Sequence, residues 1–260
     1  MNDMIHILET HSGIRFGCLG EKPTSPAPTL IVIGNELEYS LTNNEINEVG
    51  KLLESCGVKC FAIDVPCHGA DQREQEPEGL KGWRSRLENE ENMVLDFKQR
   101  ISEVLNFLIQ QGYSDSGKIG LAGTSRGGFL ALHFMAAEPR VRCAVAFAPV
   151  TELTVLEEFH GLELHPLTRS LDLIHQSVKL AGKPMWMCIG NNDWRVGTDR
   201  LMKFTHSVSS LVSKGIIAPV ELHVMPTDGH YTHTSAHSEA AAWLKTHLIE
   251  APAPNGTRNV

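Results

Sequence analysis

Three residues of this 260-residue sequence have the types and the chain order of a nucleophile, an acid and a base. Ser125 lies in a G-x-S-x-G motif between Gly123 and Gly127, whose glycines permit a tight turn around the serine. A serine hydroxyl is a weak nucleophile and needs a histidine as base, oriented by a carboxylate. Asp193 and His230 follow in the order serine, acid, histidine. The sequence therefore predicts covalent acyl transfer at Ser125.

Each of the three residues comes just after a short apolar run that has the length of a buried strand. These runs end at Ala122, Ile189 and Val224. In a parallel sheet, functional groups gather where the strands reach their carboxyl ends. We therefore expect the serine, the acid and the histidine to meet at one edge of a sheet.

Taken singly, these residues also allow simpler interpretations. Ser125 suits a plain strand-to-helix turn with a capping serine, and Asp193 lies in a polar stretch that is typical of turns. His230 is one of 13 histidines. His233 and His237 follow it closely, but no carboxylate or cysteine pattern accompanies them, so no metal site is expected. No cofactor is expected either.

Acyl transfer also needs two N–H donors for the oxyanion. The backbone N–H of Arg126 follows the nucleophile at the start of a predicted helix and is the first candidate. The second donor comes from the loop after the first core strand. Here the Asn35 N–H is the preferred candidate, with Glu36 next. The same loop also suits an ordinary turn, and it lacks the His-Gly-Gly-Gly sequence of many esterases.

Strands and helices alternate along the chain. An N-terminal hairpin precedes six apolar runs bounded by Gly, Pro, Asn or Asp, and runs of this kind suit strands buried on both faces. The runs are Leu30–Ile33, Cys60–Ile63, Ile119–Ala122, Ala144–Ala148, Met185–Ile189 and Val220–Val224. Helical periodicity fills the gaps between them. The pattern predicts a single α/β domain over residues 1–250, with a mostly parallel eight-stranded sheet and helices on both faces. Residues 251–260 are expected to form a flexible tail.

These motifs resemble those of the α/β-hydrolase superfamily over nearly the whole chain. The segment from Gly123 to Leu132 is similar to the nucleophile elbow of the small, capless branch near dienelactone hydrolases and prolyl-oligopeptidase-like catalytic domains. The segment 64–70 resembles the family's D-x-x-G-H-G loop, 190–193 its acid loop, and Gly229-His230 its histidine loop. The resemblance implies an α/β-hydrolase fold and a serine triad, and it gives His68 a structural role beside the site.

Two long connections are candidates for the walls of a substrate pocket. Residues 151–183 are too few to supply both a crossover helix over Leu167–Leu180 and an independent lid. Residues 71–91 either wall the pocket or form a solvated loop with one packed tryptophan. The predicted pocket residues are Glu36, Trp83, Arg84 and Trp194.

Composition narrows the class of protein. A formal charge of −8 argues against general nucleic-acid binding, which needs a basic surface. No stretch reaches the roughly 20 apolar residues of a membrane span, so no membrane partner is expected. The N-terminus lacks the segments of a secretory signal, and the six cysteines form no CxxC pair, so a cytoplasmic location is expected.

The sequence favours an esterase that acts on small to medium soluble substrates. An amidase or short-peptide hydrolase with the same triad is the alternative, and an inactive hydrolase-like binding protein is a second one. The sequence sets neither the physiological substrate nor the oligomeric state.

Overall fold

Eight strands form one sheet in a computed structural model that describes residues 4–250, so the predicted tail at 251–260 lies outside the described residues. The strands are β1 (Ile5–Glu9), β2 (Arg15–Leu19), β3 (Ala27–Ile33), β4 (Lys59–Ala62), β5 (Ser114–Thr124), β6 (Val141–Phe147), β7 (Met185–Asn192) and β8 (Val220–Asp228).

Helices fill most of the connections between the strands. They are α1 (Leu37–Thr42), α2 (Asn44–Leu53), α3 (Gly79–Glu88), α4 (Met93–Gln110), α5 (Arg126–Ala137), α6 (Pro166–Ser170), α7 (Ser177–Leu180), α8 (Thr198–Ser209) and α9 (Ala236–Leu244). A π-helical turn over Lys245–Glu250 continues α9. Between residues 4 and 250, no helix combines the length and the apolar content needed to cross a membrane.

The spatial order of the strands is β1-β2-β4-β3-β5-β6-β7-β8. The first two strands form an antiparallel hairpin, and β2 pairs antiparallel with β4. All remaining neighbours are parallel. The predicted fold class, a mostly parallel sheet with eight strands, is confirmed.

Helices cover both faces of the sheet, and the strand sequences match this burial. Along β3, Leu30 and Val32 face one core, which they share with residues of α1, α2 and α9. Ile31 and Ile33 face the other core, which they share with residues of α4, α5 and α8. A strand that is buried on both faces needs apolar side chains at consecutive positions, so it appears in the sequence as an unbroken apolar run.

The connection between β6 and β7 differs from its prediction. Leu167–Leu180 was expected to be one crossover helix, but the structure has α6, a 3₁₀ turn over Leu173–Gln176, and α7. Tertiary hydrogen bonds take backbone groups that a continuous helix would use. The Leu173 N–H donates to the Thr151 carbonyl at 2.9 Å, and the His133 ring lies 2.8 Å from the Leu171 carbonyl.

The rest of this connection packs against the body of the protein. Two 3₁₀ turns, Leu153–Val155 and Glu157–Phe159, place Leu153 and Phe159 in the core, together with Leu156, which lies between the turns. As predicted, the connection has too little chain left for an independent lid.

Candidate active site

Ser125 lies on a sharp turn between β5 and α5, with φ 54° and ψ −115°. Neighbouring backbone crowds this turn so closely that two positions admit only glycine. A Cβ on Gly123 would lie 2.4 Å from the Gly127 carbonyl oxygen, and a Cβ on Gly127 would lie 1.9 Å from the Ile33 carbonyl oxygen. The Ser125 N–H donates to the Phe147 carbonyl at 2.8 Å, which fixes the turn against the neighbouring strand.

The predicted nucleophile, acid and base, Ser125, Asp193 and His230, are in hydrogen-bond contact. His230 Nδ1 lies 2.7 Å from Asp193 Oδ2, and its Nε2 lies 3.0 Å from Ser125 Oγ. An ionised carboxylate only accepts hydrogen bonds, so Nδ1 carries the proton and donates to Asp193. In neutral imidazole, Nε2 then accepts the hydrogen bond that the serine hydroxyl donates.

Asp193 follows β7 by one residue and is held by its own turn. Its Oδ1 accepts the backbone N–H groups of Arg195 at 2.9 Å and Val196 at 3.1 Å. The residue is only 3% exposed, and Oδ2 is left for the histidine. Because both oxygens have fixed donors, the carboxylate holds the imidazole in one orientation.

His233 and His237 lie apart from this contact. His233 Nδ1 bonds to Ser235 Oγ at 2.9 Å at the start of α9, and His237 packs against the Phe147 ring with centroids 4.7 Å apart. Within residues 4–250, no group of three His, Cys, Asp or Glu side chains has the arrangement of a metal site.

The two predicted oxyanion donors differ. Arg126 opens α5, so its N–H belongs to the first turn of the helix and has no partner within that helix. The prediction for Asn35 is wrong, because its N–H donates to Ser40 Oγ at 3.1 Å. The next residue, Glu36, donates its N–H to no other described residue.

A buried carboxylate positions this loop. Asp64 follows β4, and it accepts the Leu37 N–H on Oδ1 at 2.9 Å and the Ala70 N–H on Oδ2 at 3.0 Å. A Cβ on Gly69, which has φ +51°, would lie 2.4 Å from the same carboxylate. Asp64 therefore ties the oxyanion loop to the turn that carries His68.

An ion cluster holds the segment between that turn and α3. Arg86 is 4% exposed and pairs with Glu76 at 2.7 Å and Asp71 at 2.8 Å. The hydrogen bond from Arg86 lowers the pKa of Glu76 to about 2. Arg100 on α4 also pairs with Asp71, at 2.8 Å. These contacts fix the start of α3 above the site.

The catalytic candidates Ser125 and His230 line a cleft of about 680 Å³. One part of its wall is the start of α3, where Glu78, Gly79, Leu80 and Lys81 line it. The remaining lining residues lie around the carboxyl ends of the strands and are Asn35, His68, Ser125, Arg126, Glu158, Arg195 and His230. His68 lies in the wall with Nδ1 3.0 Å from the Pro66 carbonyl, and burial lowers the pKa of its imidazole.

The four predicted pocket residues lie outside this lining. Trp83 is fully buried and donates its indole N–H to the Pro66 carbonyl at 2.7 Å. Arg84 donates to the carbonyls of residues 158 and 160, which joins α3 to the 3₁₀ turns. Trp194 is 77% exposed. Glu36 is exposed and precedes α1 as its N-cap. Residues 71–91 do wall the cleft, but through positions 78–81.

The sequence did not identify Glu78, Lys81, Glu158 and Arg195 as cleft residues. Arg195 had the clearest indication, since it follows Asp193 by two positions in the same loop. The others come from segments whose path across the cleft depends on tertiary contacts.

The prolyl oligopeptidase family model matches residues 81–249. No curated protein sequence matches the chain. Among solved structures, TT1662 from Thermus thermophilus shares 18% identity at a TM-score of 0.73, over 96% of this chain and 99% of that chain. The Pyrococcus furiosus esterase Pf2001 shares 17% identity at 0.66, over 94% and 92%. Porphyromonas gingivalis dipeptidyl peptidase 4 shares 16% identity at 0.67, over 94% of this chain but 35% of that chain.

Proposed function

Because this chain belongs to the prolyl oligopeptidase family of serine hydrolases, we propose that it cleaves carboxylic esters of small to medium soluble substrates through an acyl-enzyme. The hydrogen-bonded series Ser125–His230–Asp193, with distances of 3.0 and 2.7 Å, carries the proposal. This arrangement activates a serine for attack on a carbonyl, and it counts against an inactive binding protein.

In the proposed reaction, Ser125 Oγ attacks the ester carbonyl and His230 Nε2 takes its proton. Asp193 stabilises the imidazolium that forms. The developing oxyanion accepts hydrogen bonds from the Arg126 N–H and, in place of Asn35, from the Glu36 N–H. The C–O bond to the alcohol then breaks, and His230 gives its proton to the departing oxygen. Water, deprotonated by His230, releases the acid and restores the serine.

A fluorophosphonate probe tests the nucleophile. We expect covalent labelling at Ser125 of the wild-type protein and none in Ser125→Ala. A folded wild-type protein that fails to react would contradict the assignment. A matched pair of substrates, p-nitrophenyl butyrate and the corresponding butyranilide, then separates ester from amide hydrolysis, and we expect faster turnover of the ester. Faster turnover of the anilide would favour the amidase alternative, which the likeness to a peptidase structure keeps in the test.

The acid is tested by Asp193→Asn. An amide at this position presents a donor to the imidazole and stabilises the wrong tautomer, so kcat should fall by about 10⁴-fold. Asp199→Asn is the matched control, because its carboxylate is 80% exposed and, among the described residues, pairs with Arg200 alone. A similar loss in both variants would remove Asp193 from its role.

A further inference from the structure

The Arg126 side chain lies in the cleft with most of its hydrogen-bond donors free. Its Nε donates to Asn35 Oδ1 at 3.1 Å, which fixes one edge of the guanidinium. Among residues 4–250, no carboxylate lies within 4.0 Å of Arg126, and no acceptor contacts its Nη atoms. Gly79 leaves room beside the group, since a Cβ there would lie 3.2 Å from Nη1. The outer edge of the guanidinium therefore faces the cleft unpaired.

The other charged side chains of the cleft are paired or exposed to solvent. Arg195 donates from Nη2 to both oxygens of Glu158, at 2.6 and 2.8 Å. Glu78 and Lys81 are both exposed at the start of α3, where solvent screens their charges. Among the described residues, Arg126 is thus the half-buried cation beside the nucleophile that has no ion-pair partner within 4.0 Å, and only the more distant carboxylates of Glu158 and Glu78 act on its charge. Burial lowers the pKa of its guanidinium, which remains protonated because this group does not lose its proton in proteins.

Building on the proposed function, we propose that Arg126 binds a carboxylate of the substrate and that the enzyme prefers esters carrying a second, anionic group. The two Nη atoms present parallel N–H donors that match the two oxygens of a carboxylate. The contact is stronger in a half-buried cleft than in water, because the dielectric there is lower. Monoesters of short dicarboxylic acids have this chemistry on the acyl side, and esters of hydroxy acids have it on the alcohol side.

Paired substrates test this preference. We compare kcat/KM for monoethyl succinate, glutarate and adipate with ethyl butyrate, valerate and hexanoate, and for O-butyryl glycolate with ethyl butyrate. In the wild-type protein, at least one anionic ester should exceed its neutral partner. In Arg126→Gln this ratio should fall by about 10- to 100-fold, the effect of a charge-assisted hydrogen bond. The ratio cancels any general loss of activity in the variant.

Lys81→Gln is the matched control, because it removes one positive charge from the same cleft at an exposed position. Its ratio should change by about twofold or less, as for a screened surface charge. Equal changes in the two variants would show that the general potential, and not Arg126, selects anions. A wild-type enzyme that prefers the neutral ester in every pair would overturn the proposal and leave the proposed esterase function intact.

A second measurement needs no turnover and no variant. Glutarate should slow fluorophosphonate labelling of wild-type Ser125, whereas neutral glutaramide at the same concentration and ionic strength should not. Equal effects of the two compounds would overturn the carboxylate site. Absence of labelling without any competitor would instead reject the proposed function, so the two failures are distinguishable.

Discussion

The backbone at Ser125 is strained, because the turn that exposes its hydroxyl requires a positive φ. Its φ of 54° and ψ of −115° lie in a region that residues with a Cβ rarely adopt and that glycine adopts readily. Such a conformation costs about 1–3 kcal/mol and persists because the surrounding structure enforces it. Here the close backbone packing at Gly123 and Gly127 and the hydrogen bond from the Ser125 N–H to the Phe147 carbonyl hold the turn in this conformation.

This strain predicts an unusual order of stabilities. Ser125→Gly should be more stable than Ser125→Ala by about 1 kcal/mol, because glycine relieves the strain and alanine keeps it. Urea unfolding of the two inactive proteins measures the difference. The exposed Ala242 in α9 provides the opposite control, since Ala242→Gly should cost about 1 kcal/mol in a helix. Equal stability of the two Ser125 variants would mean that the turn is not strained.

The histidines near the site predict a clear functional difference. His230→Ala should reduce kcat by several orders of magnitude, because Ser125 loses the imidazole that contacts its hydroxyl at 3.0 Å. His233→Ala should retain activity within about tenfold, since His233 bonds to Ser235 at the start of α9 and not to the nucleophile. Steady-state rates, with circular dichroism as a check on folding, compare the two. A greater loss for His233 would contradict the assignment of the base.

The order and the placement of Ser125, Asp193 and His230 could be predicted from the sequence, because each residue follows an apolar run that is recognisable as a strand. The sequence did not show that the Asn35 N–H is already hydrogen-bonded within the protein. That group is taken by the hydroxyl of Ser40, and the pairing depends on how the loop folds back onto α1.

Helix α5 links the nucleophile to the connection between β6 and β7 through a buried histidine. His133 is 2% exposed, contacts the Phe129 ring with centroids 4.5 Å apart and bonds to the Leu171 carbonyl. Burial lowers the pKa of His133 to about 4. The neutral imidazole is therefore part of the packing between these elements.

This burial predicts acid sensitivity. In the unfolded chain, His133 takes up a proton below about pH 6.5, whereas in the folded protein it does so only near pH 4. Protons then favour the unfolded state, and stability is lost as pH falls through this window, by up to about 3 kcal/mol. His133→Gln keeps a donor for the Leu171 carbonyl and lacks this loss. Urea unfolding between pH 7 and pH 4.5 should show a smaller decline for the variant, and parallel declines would contradict the prediction.

Elements buried on both faces were predictable because their apolar runs are long and bounded by turn residues. The crossover at Leu167–Leu180 was not, because local periodicity there allows a continuous helix. The Leu173 N–H and the Leu171 carbonyl instead bond to distant residues. Tertiary hydrogen bonds of this kind leave no local pattern.

The whole molecule presents an open, polar cleft whose wall is assembled from distant segments. The tertiary fold brings together residues 78–81 at the start of α3 with Glu158 and Arg195, which are distant in sequence. The sequence could therefore place the reacting groups but not the surfaces that surround them. Leu80 is the one large apolar side chain among the described lining residues.

This lining predicts selectivity for short acyl chains. Among neutral p-nitrophenyl esters, kcat/KM should be highest for short chains and decline by about C8–C10, because the cleft offers little apolar surface to a longer chain. The segment 153–159 buries Leu153, Leu156 and Phe159 in the core, so we expect it not to open as a lid at a lipid surface. A profile of kcat/KM against chain length is the measurement. Highest activity on long-chain emulsions would contradict this view of the cleft.

Cys67 lies beneath the wall of the cleft and has a practical consequence. Its thiol is fully buried, burial raises its pKa to about 12, and a Cβ on Gly82 of α3 would lie 2.7 Å from its sulfur. An alkylating reagent reaches this sulfur only when α3 separates from the turn below it. In a Cys56→Ser background, which removes the one half-buried thiol, the rate of iodoacetamide modification at Cys67 therefore measures how often the wall opens. A bound substrate analogue that holds the wall in place should slow that modification.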